Sequence, residues 1–469
     1  MSVSGHITAM TVGGSKVTKA YFNGQLVFEY SDVGDGDTYV TFTGTQPFVV
    51  RMPKQYWEGT IEYSTDLKTW TTWTCANVYS TTENSDYKLY FRGSNNTYVT
   101  GNVAGSYSNG FIVTGLNDNT TFTFSVSGDL MTLLDYKKTS RGEIPTADAW
   151  CFAYMFYGQN ITLCSDIKLD PIPYYGCAYM FYNCTKMTAA PNIYVDTLGD
   201  GGCYAMFAGC TALLDTGVLQ FTKVGDSGAY RMYDGCSALK NIWMSGESIK
   251  ATRYSFANMF NECTGLTDGV PVEIHLAGYT GATTDELSYT CQGMFSGCKS
   301  LTTTPSFYIH SGTANATFYC LFKNCTSLVD NLGSFTVDGT GTSNQYMFYY
   351  AFYRCTSLTD LPKMNGVTFG CANQCTDMFD FCSSLKKIYS FNKLGGTNKS
   401  IGINSFSNMF YNTGVIVAAA GTYSTSYQIV KTTVKTASTI YNYTYKGVTP
   451  ITDANTVYST NAEEIVMVN

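Results

Sequence analysis

The sequence predicts a mainly β chain built around a repeat solenoid, with a β-sandwich-like domain before it and a β cap after it. Three observations carry that prediction. A Met-Phe dipeptide or near variant recurs at 155, 180, 206, 232, 259, 294, 321, 351, 378 and 409. A cysteine follows the marker by four residues at Cys184, Cys210, Cys236, Cys263, Cys298, Cys325, Cys355 and Cys382. Charged residues are 13% of the 469 while aromatics are 15%, 38 of them Tyr, which argues for a folded chain rather than a disordered one.

Taken in order, the elements begin with 1–31, where Lys19-Ala20-Tyr21-Phe22 and Gln25-Leu26-Val27-Phe28 flank Asn23-Gly24. Two short apolar runs around Asn-Gly signal a β-hairpin. Residues 32–145 read as an all-β, sandwich-like domain. Alternating runs at 38–43 and 120–126 are bounded by Gly, Asn and Asp. Ser64-Thr65-Asp66-Leu67-Lys68-Thr69-Trp70 resembles an Asp-box, one residue short, in which Asp66 caps a hairpin turn and Trp70 packs beneath it. Asp32, Asp35 and Asp37 are the best cation candidate, but their turn-like setting reads as a plain loop.

Residues 146–414 hold about ten copies of [Cys/Phe]-x-x-Met-Phe-x-x-x-Cys-x-x-Leu, with gaps of 25 to 35 residues between markers. One such unit closes no core by itself; stacking buries its apolar positions in columns. The spacing suits one strand plus a turn or short helix per rung. At ~4.7 Å per rung, ten rungs span roughly 45–50 Å. Cysteine columns are expected to pack as small hydrophobes. Cys371 and Cys375, four apart, lack the second ligand pair that a zinc site needs. Gln159 and Thr413 replace cysteine in the first and last copies, as polar caps do. Insertions at 277–287, 337–345 and 394–401 map to loops on one face. Residues 415–469 read as a β cap or tail, with strands over 424–434 and 440–445 and a separate assembly contact as the alternative.

Chemistry-bearing residues are sparse. His6, His275 and His310 read as surface or loop residues, with no second His at metal spacing. Gly225-Asp226-Ser227-Gly228 echoes a serine-protease string and Gly395-Gly396-Thr397-Asn398-Lys399-Ser400 a degraded phosphate loop; both read as chance. No catalytic, cofactor-binding or metal-ligating residue is assigned, and no cofactor is expected. A glycan-cleaving enzyme would need a carboxylate pair in a cleft, for which the charge-poor repeats offer few candidates. Tyr154, Tyr179 and Tyr204 belong to the repeat and read as packing. Tyr194, Trp243, Tyr308 and Tyr389 lie beyond the Leu position, where a rung presents a strand face, and form the candidate ligand-binding face. Lateral stacking between rungs is the alternative.

Met180-Phe181-Tyr182-Asn183-Cys184-Thr185 and Met294-Phe295-Ser296-Gly297-Cys298-Lys299-Ser300-Leu301 resemble BspA-type leucine-rich repeats, over about 57% of the chain. That resemblance implies a curved right-handed solenoid and adhesion or ligand binding rather than catalysis, in a family common on surface proteins of gut bacteria and in their phages. The 19–28 hairpin is similar to short N-terminal segments of phage tail and fibre proteins. The first residues lack the charged start and apolar stretch of a secretory signal. The resulting expectation is a non-enzymatic bacteriophage virion protein (fibre, tail-associated or decoration), assembled in the host cytoplasm. Its 17 Cys are then mostly free thiols. Its expected partners are other virion proteins through 1–31, a host-surface glycan or protein through the solenoid, and further copies of itself, a trimer among the options. With a net charge of −7, no basic run and only short apolar runs, nucleic-acid binding and membrane insertion are not expected. A bacterial cell-surface leucine-rich-repeat adhesin is the runner-up.

Overall fold

The computed structural model describes residues 39–385, other than 84–85, 101–109, 117–120, 246–247, 279–286, 312–314, 331, 338–344 and 366–372, together with Met409, Asn412 and Thr413. Within 11–29 and 416–468 it describes strand backbone only. The chain is mainly β. Strand β1 (Thr11–Val12) pairs with β2 (Ser15–Lys16), and β3 (Lys19–Phe22) pairs with β4 (Gln25–Glu29). Phe22 pairs with Gln25, so the chain reverses where the sequence carries Asn-Gly.

Strands β5 (Val40–Gly44), β6 (Phe48–Arg51), β7 (Thr60–Ser64), β8 (Thr71–Thr72), β9 (Val78–Tyr79), β10 (Thr81–Glu83), β11 (Asp86–Ser94), β12 (Ile112–Gly115) and β13 (Phe124–Ser127) follow. One helix, α1 (Thr132–Thr139), departs from the all-β expectation. Asp129 accepts the Met131 N–H at its start, and the carbonyls of Leu133 and Leu134 accept from Asn96 at the end of β11. Eight residues give too few turns to show a 3.6-residue period. Next comes β14 (Ile161–Cys164). The larger sheet runs β14-β13-β5-β11-β7-β8 with β10 on β11, and the smaller β12-β6-β9. Phe42, Phe91, Phe111 and Trp73 fill the space they enclose, with ring centroids 5.1–5.7 Å apart.

The 64–70 turn forms as read from the sequence. Asp66 Oδ1 accepts the N–H groups of Lys68 (2.9 Å) and Thr69 (2.8 Å), which hold its carboxyl below the usual range. Trp70, however, packs against Tyr39 and lies 4.1 Å from the Arg92 guanidinium, whose other side faces Tyr136 at 4.2 Å. The indole is thus one half of a cation–π clamp rather than the floor of the turn.

The repeats form a β-solenoid. Strands β15 (Ile193–Leu198), β16 (Asp215–Val224), β17 (Asn241–Ser245), β18 (Ile249–Ala251), β19 (Glu273–Gly278), β20 (Ser306–Ser311), β21 (Ser334–Val337) and β22 (Lys363–Asn365) build one parallel sheet in the order β15-β16-β18-β19-β20-β21-β22, with β17 also on β16. Each strand lies downstream of its marker. The marker segment itself is neither a simple turn nor a short helix. It is a ribbon of overlapping turns with a fixed hydrogen-bond alternation. In the first rung, the N–H groups of Phe152, Tyr154, Phe156 and Gly158 donate to Gly176, Ala178, Met180 and Tyr182 of the next. The intervening N–H groups of Ala153, Met155, Tyr157 and Gln159 donate three residues back within the rung. Every N–H group from 152 to 159 thereby finds a carbonyl although most of the ribbon is buried.

That alternation forces positive φ every fourth residue, at positions five before, one before and three after the marker. The first rung has Trp150 (62°), Tyr154 (60°) and Gly158 (67°), the fourth Ser227 (56°), Arg231 (54°) and Gly235 (72°), and the pattern holds through the copy at 378. For non-glycine residues this conformation costs on the order of 1–2 kcal/mol each. The inter-rung hydrogen bonds and the packed columns beneath offset it.

Two columns dominate the interior. The rings following the marker, from Phe156 to Phe379, stack with centroids 5.1–5.5 Å apart. The cysteine column does more than fill space. From Cys184 to Cys382, eight thiols each donate to the carbonyl of the stacked ring residue one rung back, with Sγ···O of 3.0–3.2 Å. Cysteine suits the slot because it is small and apolar yet carries one donor.

The region before the solenoid closes its open end. Val99 and Phe111 donate to the Cys151 and Met155 carbonyls, which have no preceding rung. Gln159, in the first cysteine slot, accepts the Val113 N–H at 3.0 Å, so the polar substitution has a partner. Strand β14 pairs in parallel with β13, and Phe156 lies 6.0 Å from Phe111, making one continuous hydrophobic core from Val40 to Met409. At the other end Phe379 N–H donates to Met409, and Thr413 is half-exposed. Strands β23 (Ile416–Ala418), β24 (Gln428–Lys435), β25 (Ile440–Lys446), β26 (Thr456–Ser459) and β27 (Val466–Val468) form a five-stranded sheet, with β24 and β25 close to the expected strands.

Candidate functional site: the outer face of the parallel sheet

Side chains alternate across each rung strand. In β15, Ile193 and Val195 are buried while Tyr194 and Asp196 point outward. Trp243 in β17 follows buried Ile242, and Tyr308 in β20 sits between buried Phe307 and Ile309. The three described aromatics of the expected face therefore do point out of the core. Tyr194 is 48% exposed and Trp243 47%, large values for such rings. They are not gathered at one point: β16 separates Tyr194 from Trp243, and Tyr308 lies further along the sheet. Tyr389 lies outside the described residues. So do Cys371, His6, the 395–400 string and the Asp32, Asp35, Asp37 group.

Around Tyr308 the structure assembles a cluster that sequence reading missed. Its ring stacks on His275 at 4.4 Å and 5°. His275 Nδ1 lies 2.8 Å from His310 Nε2, and His275 Nε2 lies 3.1 Å from Glu273 Oε2. The Tyr308 hydroxyl donates to Glu273 Oε1 at 3.4 Å. Two features of the backbone cause this. Parallel pairing sets His275 opposite Tyr308, and a register shift pairs Leu276 with Ile309 but Ala277 with Ser311. His310 is the extra residue of that bulge. A signal existed in the sequence: His275 lies 16 residues after Met259 and His310 lies 16 after Met294, the same column of neighbouring rungs. A contact between two imidazole nitrogens pairs a donor with an acceptor, so the patch offers both beside a stacked aromatic surface.

The interior offers different chemistry. The sixteen described cysteines are free thiols. Burial pushes Cys177 and Cys210 up to about 12 and holds Cys184 and Cys236 high as well. Thiols held protonated and out of solvent are poor nucleophiles. Among the described residues no three His, Cys, Asp or Glu are arranged to hold a metal ion. Gly225-Asp226-Ser227-Gly228 is the turn that opens the fourth rung, with the Ser227 N–H donating to Arg253 and Asp226 Oδ1 accepting from the Arg253 N–H. Along the turn ribbon Tyr154 stacks on Tyr179 at 5.0 Å, and Tyr204 packs on Tyr179 at a tilt of 43°, 5.4 Å away. No family model, curated protein or solved structure matches the chain.

Proposed function

We propose that this chain is a non-enzymatic adhesion component of a bacteriophage virion, a fibre, tail-associated or decoration protein, whose BspA-like solenoid binds the host surface. The observation that carries this reading is the outer sheet face. A rigid parallel sheet holds Tyr194 and Trp243 half-exposed, with the Tyr308–His275–Glu273 cluster on the same sheet. Exposed aromatics on a rigid scaffold suit recognition, because they supply contact area at low entropic cost. The cysteines, the most reactive residue type in the repeats, are committed to holding rungs together. The hairpin of β3 and β4 supports attachment of the first thirty residues to the particle, by its similarity to phage tail and fibre segments.

Immunogold labelling with antibody against 146–414 tests the proposal on particles and cells from a producing culture. Label on a virion appendage is the expected result. Label on the bacterial envelope with bare particles would replace it with a cell-surface adhesin.

A further inference from the structure

The turn ribbon, on the opposite side of each rung from the sheet, contains a break in its tyrosine columns. The residue just before the marker runs Tyr154, Tyr179, Ala205, Arg231 through the first four rungs. The residue two after it runs Tyr157, Tyr182, Ala208, Asp234. In the first two rungs these rings stack plane on plane, 5.0 Å apart in one column and 5.1 Å in the other. At the third rung both rings are missing, and Ala205 and Ala208 form the floor of a groove of about 520 Å³. Tyr179 and Tyr182, 5.6 Å apart, make one wall. The Arg231–Asp234 pair (3.7 Å), with Asn261 donating to Asp234 at 2.8 Å, makes the other. Tyr204 packs against Tyr179 at 5.4 Å and lines the slot, so the open step is the one beyond Tyr182, over Ala208.

We infer that this slot is a carbohydrate-binding site that takes one neutral pyranose ring in place of the ring missing at Ala208. The sugar's C–H face would stack on Tyr182, as a ring at position 208 would have done, beside Tyr204. Its hydroxyls would meet the Arg231 guanidinium and Asp234 carboxylate, which match vicinal donors and acceptors. A phenyl or indole guest would leave that charged wall without partners. Arg231 offsets Asp234, and Glu262 at the rim adds a further acceptor, which disfavours an anionic sugar. The inference rests on the surface-binding reading but places a sugar on the face away from the sheet.

The test uses the full chain and the methyl pyranosides of glucose, galactose, mannose and N-acetylglucosamine, read by saturation-transfer NMR and titration. At least one is expected to bind saturably. Ala208→Tyr, which completes the column, is expected to weaken that binding at least tenfold. Should Ala208→Tyr not fold, Asp234→Asn decides: a loss of threefold or more supports the site, and unchanged binding removes it. No binding by any pyranoside, full binding in folded Ala208→Tyr, or preference for N-acetyltyrosinamide over all four sugars overturns the inference. The immunogold result is independent of each of these, so the two readings fail separately.

Discussion

At the scale of single residues, the fold asks unusual things of ordinary side chains. Tyrosine, arginine and alanine occupy left-handed backbone positions that glycine and asparagine normally take, because the ribbon's turn repeats every four residues whatever the residue. Gly235 isolates that backbone term. Its φ is 72°, and an added Cβ would meet nothing closer than 3.9 Å. Gly235→Ala should therefore cost about 1 kcal/mol through conformation alone, read by chemical denaturation. A cost near zero would show that the neighbouring rungs relax to absorb it. The thiols make a second prediction. Burial raises Cys177 and Cys210 to about 12 in the folded state, against about 9 when exposed. Above pH ~9 the unfolded chain releases thiol protons that the folded chain keeps, so it binds fewer protons than the native state. Stability should be full below that pH and fall steadily from there toward 12. The same burial predicts that dithiodipyridine titrates the ladder thiols only in denaturant; rapid labelling of all of them in native buffer would contradict it.

At the scale of the element, each rung is a strand and a ribbon that satisfy their neighbours. Each rung presents unmatched N–H groups to the next and unmatched carbonyls to the one before, so an end needs a cap. Gln159→Leu removes the acceptor for Val113 N–H and should cost about 1–3 kcal/mol. Phe207→Ala, in the middle of the ring stack, should cost about 3–5 kcal/mol. Much of this level was legible from the sequence: the marker spacing, the columns and the polar first slot all predict stacked rungs, and the hairpin, the Asp66 cap of the 64–70 turn and the late strands match their signals, while Trp70 does not pack beneath that turn. Other features were hidden for physical reasons. The ribbon's left-handed rhythm is set by hydrogen bonds between rungs, and residue propensity at Tyr154 or Arg231 points away from it. Helix α1 is too short for its period to show. The thiol donors look like plain small hydrophobes until their distances to carbonyls are seen. The His275–His310 contact and the tyrosine break at Ala205 and Ala208 emerge only when rungs are aligned column by column, since neither pair is close in sequence.

At the scale of the whole molecule, one hydrophobic core runs from the two-sheet region through the solenoid, joined by β13 with β14 and by Phe111 with Phe156. Linear repeat arrays store stability in nearest-neighbour interfaces. Hydrogen exchange should accordingly be slowest in the middle ribbons, around Phe207 to Phe295, and faster toward the last rungs. A rigid core of this kind leaves recognition to what stands on its surface. The most direct test is binding of the fluorescently labelled full chain to host cells, comparing wild type with Tyr194→Ala/Trp243→Ala at matched melting temperature. Binding that weakens at least tenfold in the double variant is the predicted result. Binding of equal strength in both, or none by the wild type, would contradict the claim that the outer sheet face is the adhesive surface.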